Sequence, residues 1–368
     1  MIIHVHRKQF LKAFEACSAV ASRWSTSANQ GRILCYESAG SLSLQASTGE
    51  NSIDIDLGEA AEAVKVKPRD KMILDAAKVG AILKATTCET VEIGDDKKNV
   101  TIETDCGKFT LGSADPAEFA AVEIVPNGSI VLDRQEFING LELTSFAVDA
   151  DSSRYQLGGV YLALEDNVLA FVATDGRRLS RFIVSAQTSV RSVNGILPAK
   201  AVQIVSKAIT DSSSEIVKLS LSTNSATMSA GPVCFSSRLV EGRYPNWQKV
   251  IPNYDDPIVA KINPAVLGQA IRQAAITTDK VTNAIEIEIS GGDCSVRSNA
   301  ADVGKSFVSI PVESTGPIKL NADHRFLTDW LSRIPPDADV ELRFKSEKDP
   351  FVLEWSEAVY VVMPMSKN

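Results

Sequence analysis

The sequence is short of the groups that metal and acid–base chemistry draw on: it has three histidines, His4, His6 and His324, and six scattered cysteines. Cys17, Cys35, Cys88, Cys106, Cys234 and Cys294 form no C-x-x-C pair. A zinc site needs clustered soft ligands, so no metal or other cofactor is expected. Isolated cysteines of this kind usually act as small buried hydrophobes. No run of about 18 apolar residues occurs, which leaves no candidate for a membrane-spanning helix. The opening Met1-Ile2-Ile3-His4-Val5-His6-Arg7 alternates like a strand and lacks the basic start, apolar run and cleavage site of a secretory signal, so a cytoplasmic protein is expected. A basic excess is missing too. The net charge of −8 argues against nucleic-acid binding, whose usual footprint is basic, but net charge says nothing about how charge is spread over faces.

Catalytic patterns are equally scarce. There is no G-x-S-x-G, no phosphate-cradling glycine loop and no carboxylate cluster suited to metal-assisted chemistry. Asp175 beside Arg177 and Arg178 could pass for an acid with anion-binding partners, yet no histidine lies nearby in the sequence. Thr174-Asp175-Gly176 reads better as a tight turn ahead of a strand, with the aspartate bonding nearby backbone. No enzyme is expected.

What the sequence does have is the balance of an ordinary globular chain, 44% hydrophobic and 23% charged over 368 residues, enough for two or three domains. It also repeats itself. His4–Phe14, Val131–Leu141 and Lys261–Ile271 share a strand-to-helix plan in which a polar opening is followed by a large apolar residue, a small one three later and another apolar one beside it. That i, i+3, i+4 stripe buries one helical face. Asp133 and Asn263 suit N-caps, and Pro264 suits the first helical position. The anchors Phe10, Phe137 and Leu267 lie 127 and 130 residues apart. A period this long predicts whole domains, each with its own core.

Within each repeat a second helix is predicted, near Asp70–Leu74, Pro198–Val202 and Ala322–Leu327, followed by alternating strands with short polar turns. The segments Asp115-Pro116-Ala117-Glu118-Phe119 and Tyr244-Pro245-Asn246-Trp247 each set a proline beside aromatics, and Pro126 and Pro252 follow as exits. They read as linkers and place domain boundaries near 127 and 254. The expected fold is α+β, with domains at 1–127, 128–254 and 255–368, each packing two helices on antiparallel sheets.

Three stretches resemble the bacterial DNA polymerase III beta sliding clamps. Ala173-Thr174-Asp175-Gly176-Arg177-Arg178-Leu179 is similar to that family's A-T-D-G-x-R-L signature, Gly242–Pro252 to its second linker, and Tyr360-Val361-Val362-Met363-Pro364-Met365 to its last strand. The resemblance implies a head-to-tail homodimeric ring that encircles duplex DNA without reading sequence, tethers the DNA polymerase III alpha subunit, other polymerases and repair proteins, and has a clamp loader as a further partner. A three-domain scaffold that never binds DNA is the alternative.

The resemblance also implies sites. Arg7, Lys12, Arg23, Lys78, Lys84, Arg134, Lys200, Lys207, Arg272, Arg325 and Arg333 would face DNA, supplying phosphate contacts that allow sliding. Leu157, Thr174, Gly176, Arg177, Arg178 and Leu179, with Pro245, Lys249, Val250, Val361, Met363 and Met365, would form a peptide pocket whose apolar walls and adaptable methionines suit varied partners. Phe109 and Leu111 on one side and Ile276 and Thr277 on the other would close the ring. The sequence departs from the family at Arg177, where histidine is common, at Lys249, where arginine is common, at Thr277, usually aliphatic, and in the tail Ser366-Lys367-Asn368.

Overall fold

In the computed structural model, residues 1–21, 29–124, 128–151, 154–210 and 212–365 are described. Among them are six α-helices: α1 (Arg7–Val20), α2 (Ala76–Ala85), α3 (Arg134–Ser145), α4 (Ala199–Thr210), α5 (Pro264–Ala274) and α6 (His324–Leu331). Their starts follow local chemistry. Asp133 accepts from the Glu136 amide at 2.9 Å, Asn263 from Val266 at 3.0 Å and Asp323 from Arg325 at 3.0 Å, each satisfying a donor with no partner inside the helix. The second helix of the first repeat starts later than the sequence predicts. Lys71–Asp75 is a strand buried at Met72, Ile73 and Leu74, and Asp75 caps α2 through the amides of Ala77 and Lys78. An apolar triplet fits either period, and here a neighbouring strand, Arg32–Ser38, pairs with it.

The chain divides into two units, Met1–Ile138 with Ala186–Leu239, and Asn139–Ser185 with Val240–Asn368. The first unit holds an antiparallel five-stranded sheet in the order Ala61–Lys65, Ile2–His6, Thr90–Asp95, Asn99–Glu103, Lys108–Gly112, so the hairpins expected after α2 are present. It also holds a larger sheet with a seam in it. Strand Val233–Arg238 pairs with Asn51–Asp56, placing Val233 opposite Ile55 and Phe235 opposite Ile53. Two segments far apart in sequence are thereby joined by backbone hydrogen bonds. Helix α1 buries Phe10, Phe14, Cys17 and Val20, with Phe10 and Phe14 stacked at 5.8 Å.

The segment expected to be the first linker is strapped onto this unit. Phe119 is buried against Leu34 and Ile73, with Tyr36 beside them. Two side-chain amides imitate strand pairing with the linker backbone: Asn29 exchanges two 2.9 Å hydrogen bonds with Ala120, and Gln45 does the same with Val122 at 2.9 and 3.0 Å. Gln45 is itself oriented by Asp54, 2.7 Å away.

In the second unit the strand Arg178–Ser185 pairs with Ala358–Val362, setting Leu179 opposite Val361. A four-stranded sheet runs Gly304–Pro311, Asp293–Ala300, Ala284–Ser290, Ile318–Asp323. Trp330 and Tyr360, both fully buried, stack at 5.7 Å. The small residue in the α3 repeat has a packing reason: a methyl group on Gly140 would lie 2.7 Å from the Phe171 ring. The segment expected to be the second linker again uses an aromatic, with Tyr244 stacked on Tyr161 at 4.5 Å and its hydroxyl donating to the Val172 carbonyl.

Candidate functional site

Thr174–Leu179 turns between two strands of the second unit, and each polar residue has a task in the turn. Thr174 Oγ1 donates to the Arg178 carbonyl at 2.6 Å and accepts from the Gly176 amide at 3.1 Å. Asp175 Oδ1 accepts from the amides of Arg177 and Arg178. Gly176 has φ +85°, which a side chain would oppose. Asp175 therefore works on the turn backbone, as the sequence implied.

Arg178, one of the expected pocket residues, is turned inward. Its side chain is only 10% exposed. Nε donates to Asp175 at 3.0 Å, Nη1 to Asp329 on α6 at 2.7 Å and Nη2 to the Phe146 carbonyl at 2.8 Å. The rings of Phe326 and Phe146 lie 4.4 and 5.4 Å from the guanidinium carbon. Burial is the largest single influence and works against the charge, but Tyr360, Asp329 and Asp175 together outweigh it and hold the pKa above the ordinary guanidinium value.

The chain end joins this turn. The Met363 amide donates to the Arg177 carbonyl at 2.9 Å, and the Met365 amide to Asn321 at 2.8 Å. Leu157, Leu179 and Val361 are buried and Thr174 nearly so, while Met363 is 45% exposed, with Pro364 and Met365 half-buried beside it. That exposure does not suit plain core filling. Leu157 closes a short turn, Tyr155–Leu157, whose flanking Arg154 reaches within 2.9 Å of where a side chain on Gly176 would begin. Pro245 follows Tyr244 and is held near the strand Val168–Thr174 by the ring stack and hydroxyl described above. Lys249 and Val250 are exposed at the next turn, and none of these contacts reaches them. Arg154 and the exposed Tyr155 went unnoticed in the sequence, because their place beside Gly176 depends on the fold. Lys367 lies outside the described residues.

The expected DNA-facing cations have varied surroundings. Lys12, Lys78, Lys84, Lys200, Lys207, Arg272 and Arg325 are exposed on helices, Arg333 just beyond α6, and Arg23 lies outside the described residues. Arg7 and Arg134 instead stitch helices together. Arg7 donates to Leu83 and Cys88 carbonyls at the end of α2, and Arg134 to Thr210 and Ser214 at the end of α4, where a cation also suits the helix dipole. Lys84 pairs with Glu15 at 2.8 Å and holds that carboxyl below its usual range, against a smaller opposing effect of burial. Arg325 is paired with Asp323, and Arg333 lies over Phe146 at 4.6 Å.

Charge is nevertheless segregated. The six described helices carry ten Lys and Arg against four Asp and Glu, a net +6, so the remainder of a −8 chain carries −14. Of the expected dimer residues, Phe109 is 40% exposed on Lys108–Gly112, the outer edge of the five-stranded sheet, with Leu111 half-buried. Ile276 is 77% exposed, and Thr277 shares a 2.6 Å hydrogen bond with Ser298. Phe307, 64% exposed on the edge strand Gly304–Pro311, was not foreseen, because sequence alone does not reveal which strand lies at an edge. Among the described residues no group of His, Cys, Asp and Glu could hold a metal ion, and no helix is long and apolar enough to cross a membrane.

Comparison with known proteins adds three kinds of likeness. A family model described as the central domain of the DNA polymerase III beta subunit matches residues 131–246. The chain is 24% identical to the beta sliding clamp of Pseudomonas putida over 98% of both chains. It is 29% identical to that of Rickettsia bellii over 70% of this chain and 72% of the relative. A crystal structure of the beta subunit from the DNA polymerase of Streptococcus pyogenes covers all of both chains at TM-score 0.89 and 20% identity.

Proposed function

The chain belongs to the bacterial DNA polymerase III beta subunit family, the beta sliding clamps, and from that premise we propose that it encircles duplex DNA as a homodimeric ring and tethers polymerases there. The observation that carries this reading is the charge segregation: helices at net +6 in a chain at −8. Phosphates attract basic helices without base contacts, and base contacts would hinder sliding. A scaffold that never meets DNA has no use for this arrangement and is not favoured.

In this reading the domains are 1–127, 128–254 and 255–368, and two chains join head to tail with twofold symmetry. Phe109 and Leu111 on one edge would meet Ile276, Thr277 and the edge strand bearing Phe307 on the other chain. Pairing would cover edges that otherwise invite aggregation. Thr277, already bonded to Ser298, makes this contact less apolar than an aliphatic residue would. The reading assigns no catalytic residue and places the protein in the cytoplasm.

The proposed pocket for short peptides of the DNA polymerase III alpha subunit, other polymerases and the clamp loader lies within the second unit. Leu157, Thr174, Gly176, Arg177, Leu179, Val361, Met363 and Met365 would form its core, with Pro245, Lys249 and Val250 at its margin. Met363→Ala is expected to weaken binding of an aliphatic–aromatic polymerase peptide about tenfold, measured by fluorescence anisotropy, with the dimer unchanged in sedimentation. Leu179 is too buried for a clean test. Equal loss of peptide and dimer would contradict the pocket's placement.

A further inference from the structure

Arg177 and Arg178 are neighbours in sequence with opposite situations. Arg177 is exposed on the turn, whereas Arg178 is turned inward and holds three elements at once. A guanidinium has five N–H donors in a fixed plane, so it can bond in several directions while its faces stack on rings. Here three donors go to Asp175 in the turn, Asp329 on α6 and the carbonyl of Phe146 just past α3, and Phe326 and Phe146 lie against the guanidinium. Met363, exposed and apolar just past the last strand, donates its backbone amide to the carbonyl of Arg177, the residue before Arg178. Gly176, Leu179 and Met363 are thus all within two bonded steps of one buried cation.

We infer that Arg178 is the positioning residue of the peptide pocket, a latch that fixes the Thr174–Leu179 turn to α6, and that it does not bind the peptide's charge. The inference rests on the proposed pocket and gives Arg178 a supporting place behind it. Two features separate a latch from a contact cation. A contact cation acts on acidic peptides and is screened by salt, while a latch acts on every peptide alike. A latch also depends on Asp329, which lies on a helix outside the pocket's core, as strongly as on the arginine itself.

The test uses the full-length protein, the variants Arg178→Lys and Asp329→Asn, and their combination. Lysine keeps the charge but cannot make the three-way contact. The probes are two labelled five-residue peptides ending in aliphatic and aromatic side chains, one with a central aspartate and one with asparagine. Each single variant is expected to weaken both peptides by about tenfold, and the double variant by little more than either. In the unliganded protein, amide exchange at Arg178 and Met363 is expected to rise in both single variants with global Tm nearly unchanged. Loss confined to the aspartate peptide, or an Asp329→Asn variant with wild-type affinity and exchange, would overturn the latch. If wild type binds neither peptide, the pocket assignment falls, and the exchange data alone then decide the latch.

Discussion

Cysteine shows what single residues reveal and conceal. The six isolated thiols read as buried hydrophobes, and Cys17, Cys35 and Cys294 are buried, but Cys88 and Cys234 are half-buried and Cys106 is exposed. Burial pushes the Cys35 thiol up to about 12 and Cys294 up to about 11. Alkylation proceeds through the thiolate, so at pH 7 iodoacetamide is expected to modify Cys106 first and to spare Cys17, Cys35 and Cys294 until the protein unfolds. Peptide mass mapping checks the order, and early labelling of Cys35 would contradict the packing. The turn at Asp175 and Gly176 was legible because its bonds span four residues or fewer. Arg178 was not, since its partner Asp329 is 151 residues away. Short-range chemistry can be read from a sequence, and long-range partners cannot.

Elements were legible where side chains announce their own ends. Asp133 and Asn263 cap helices as their positions suggested, and the apolar stripe of α1 is buried. Met72-Ile73-Leu74 carried no such signal, and only its pairing with Arg32–Ser38 settled it as strand. Linkers gave an intermediate case. Phe119 and Tyr244 stood out beside prolines, but the amide clamps of Asn29 and Gln45 did not, because they lie 91 and 77 residues from what they hold. The small residue of the repeated helix supplies a test. Gly140→Ala forces a methyl group against a fully buried ring and is expected to cost about 1–3 kcal/mol of stability, read as a fall in urea midpoint. An unchanged midpoint would show that α3 can shift away from Phe171.

For the whole molecule, the spacing of Phe10, Phe137 and Leu267 suggested a threefold repeat, but it gave no sign of which distant strands pair. The seams at Val233–Arg238 with Asn51–Asp56 and at Arg178–Ser185 with Ala358–Val362 follow from tertiary register. Net charge misled in the same way. At −8 it opposed a role on DNA, while most of the cations expected to face DNA fall on helices that together carry +6. A protein held on DNA by charge alone leaves as salt rises, because counterions compete for the phosphates. A closed ring leaves only at an end. The deciding measurement loads the protein onto circular duplex DNA with a clamp loader, washes in about 1 M salt, and then cuts the circle once. The protein is expected to stay on the intact circle through the wash and to be released on linearisation. Loss in the wash, or retention on the linear DNA, would contradict encirclement.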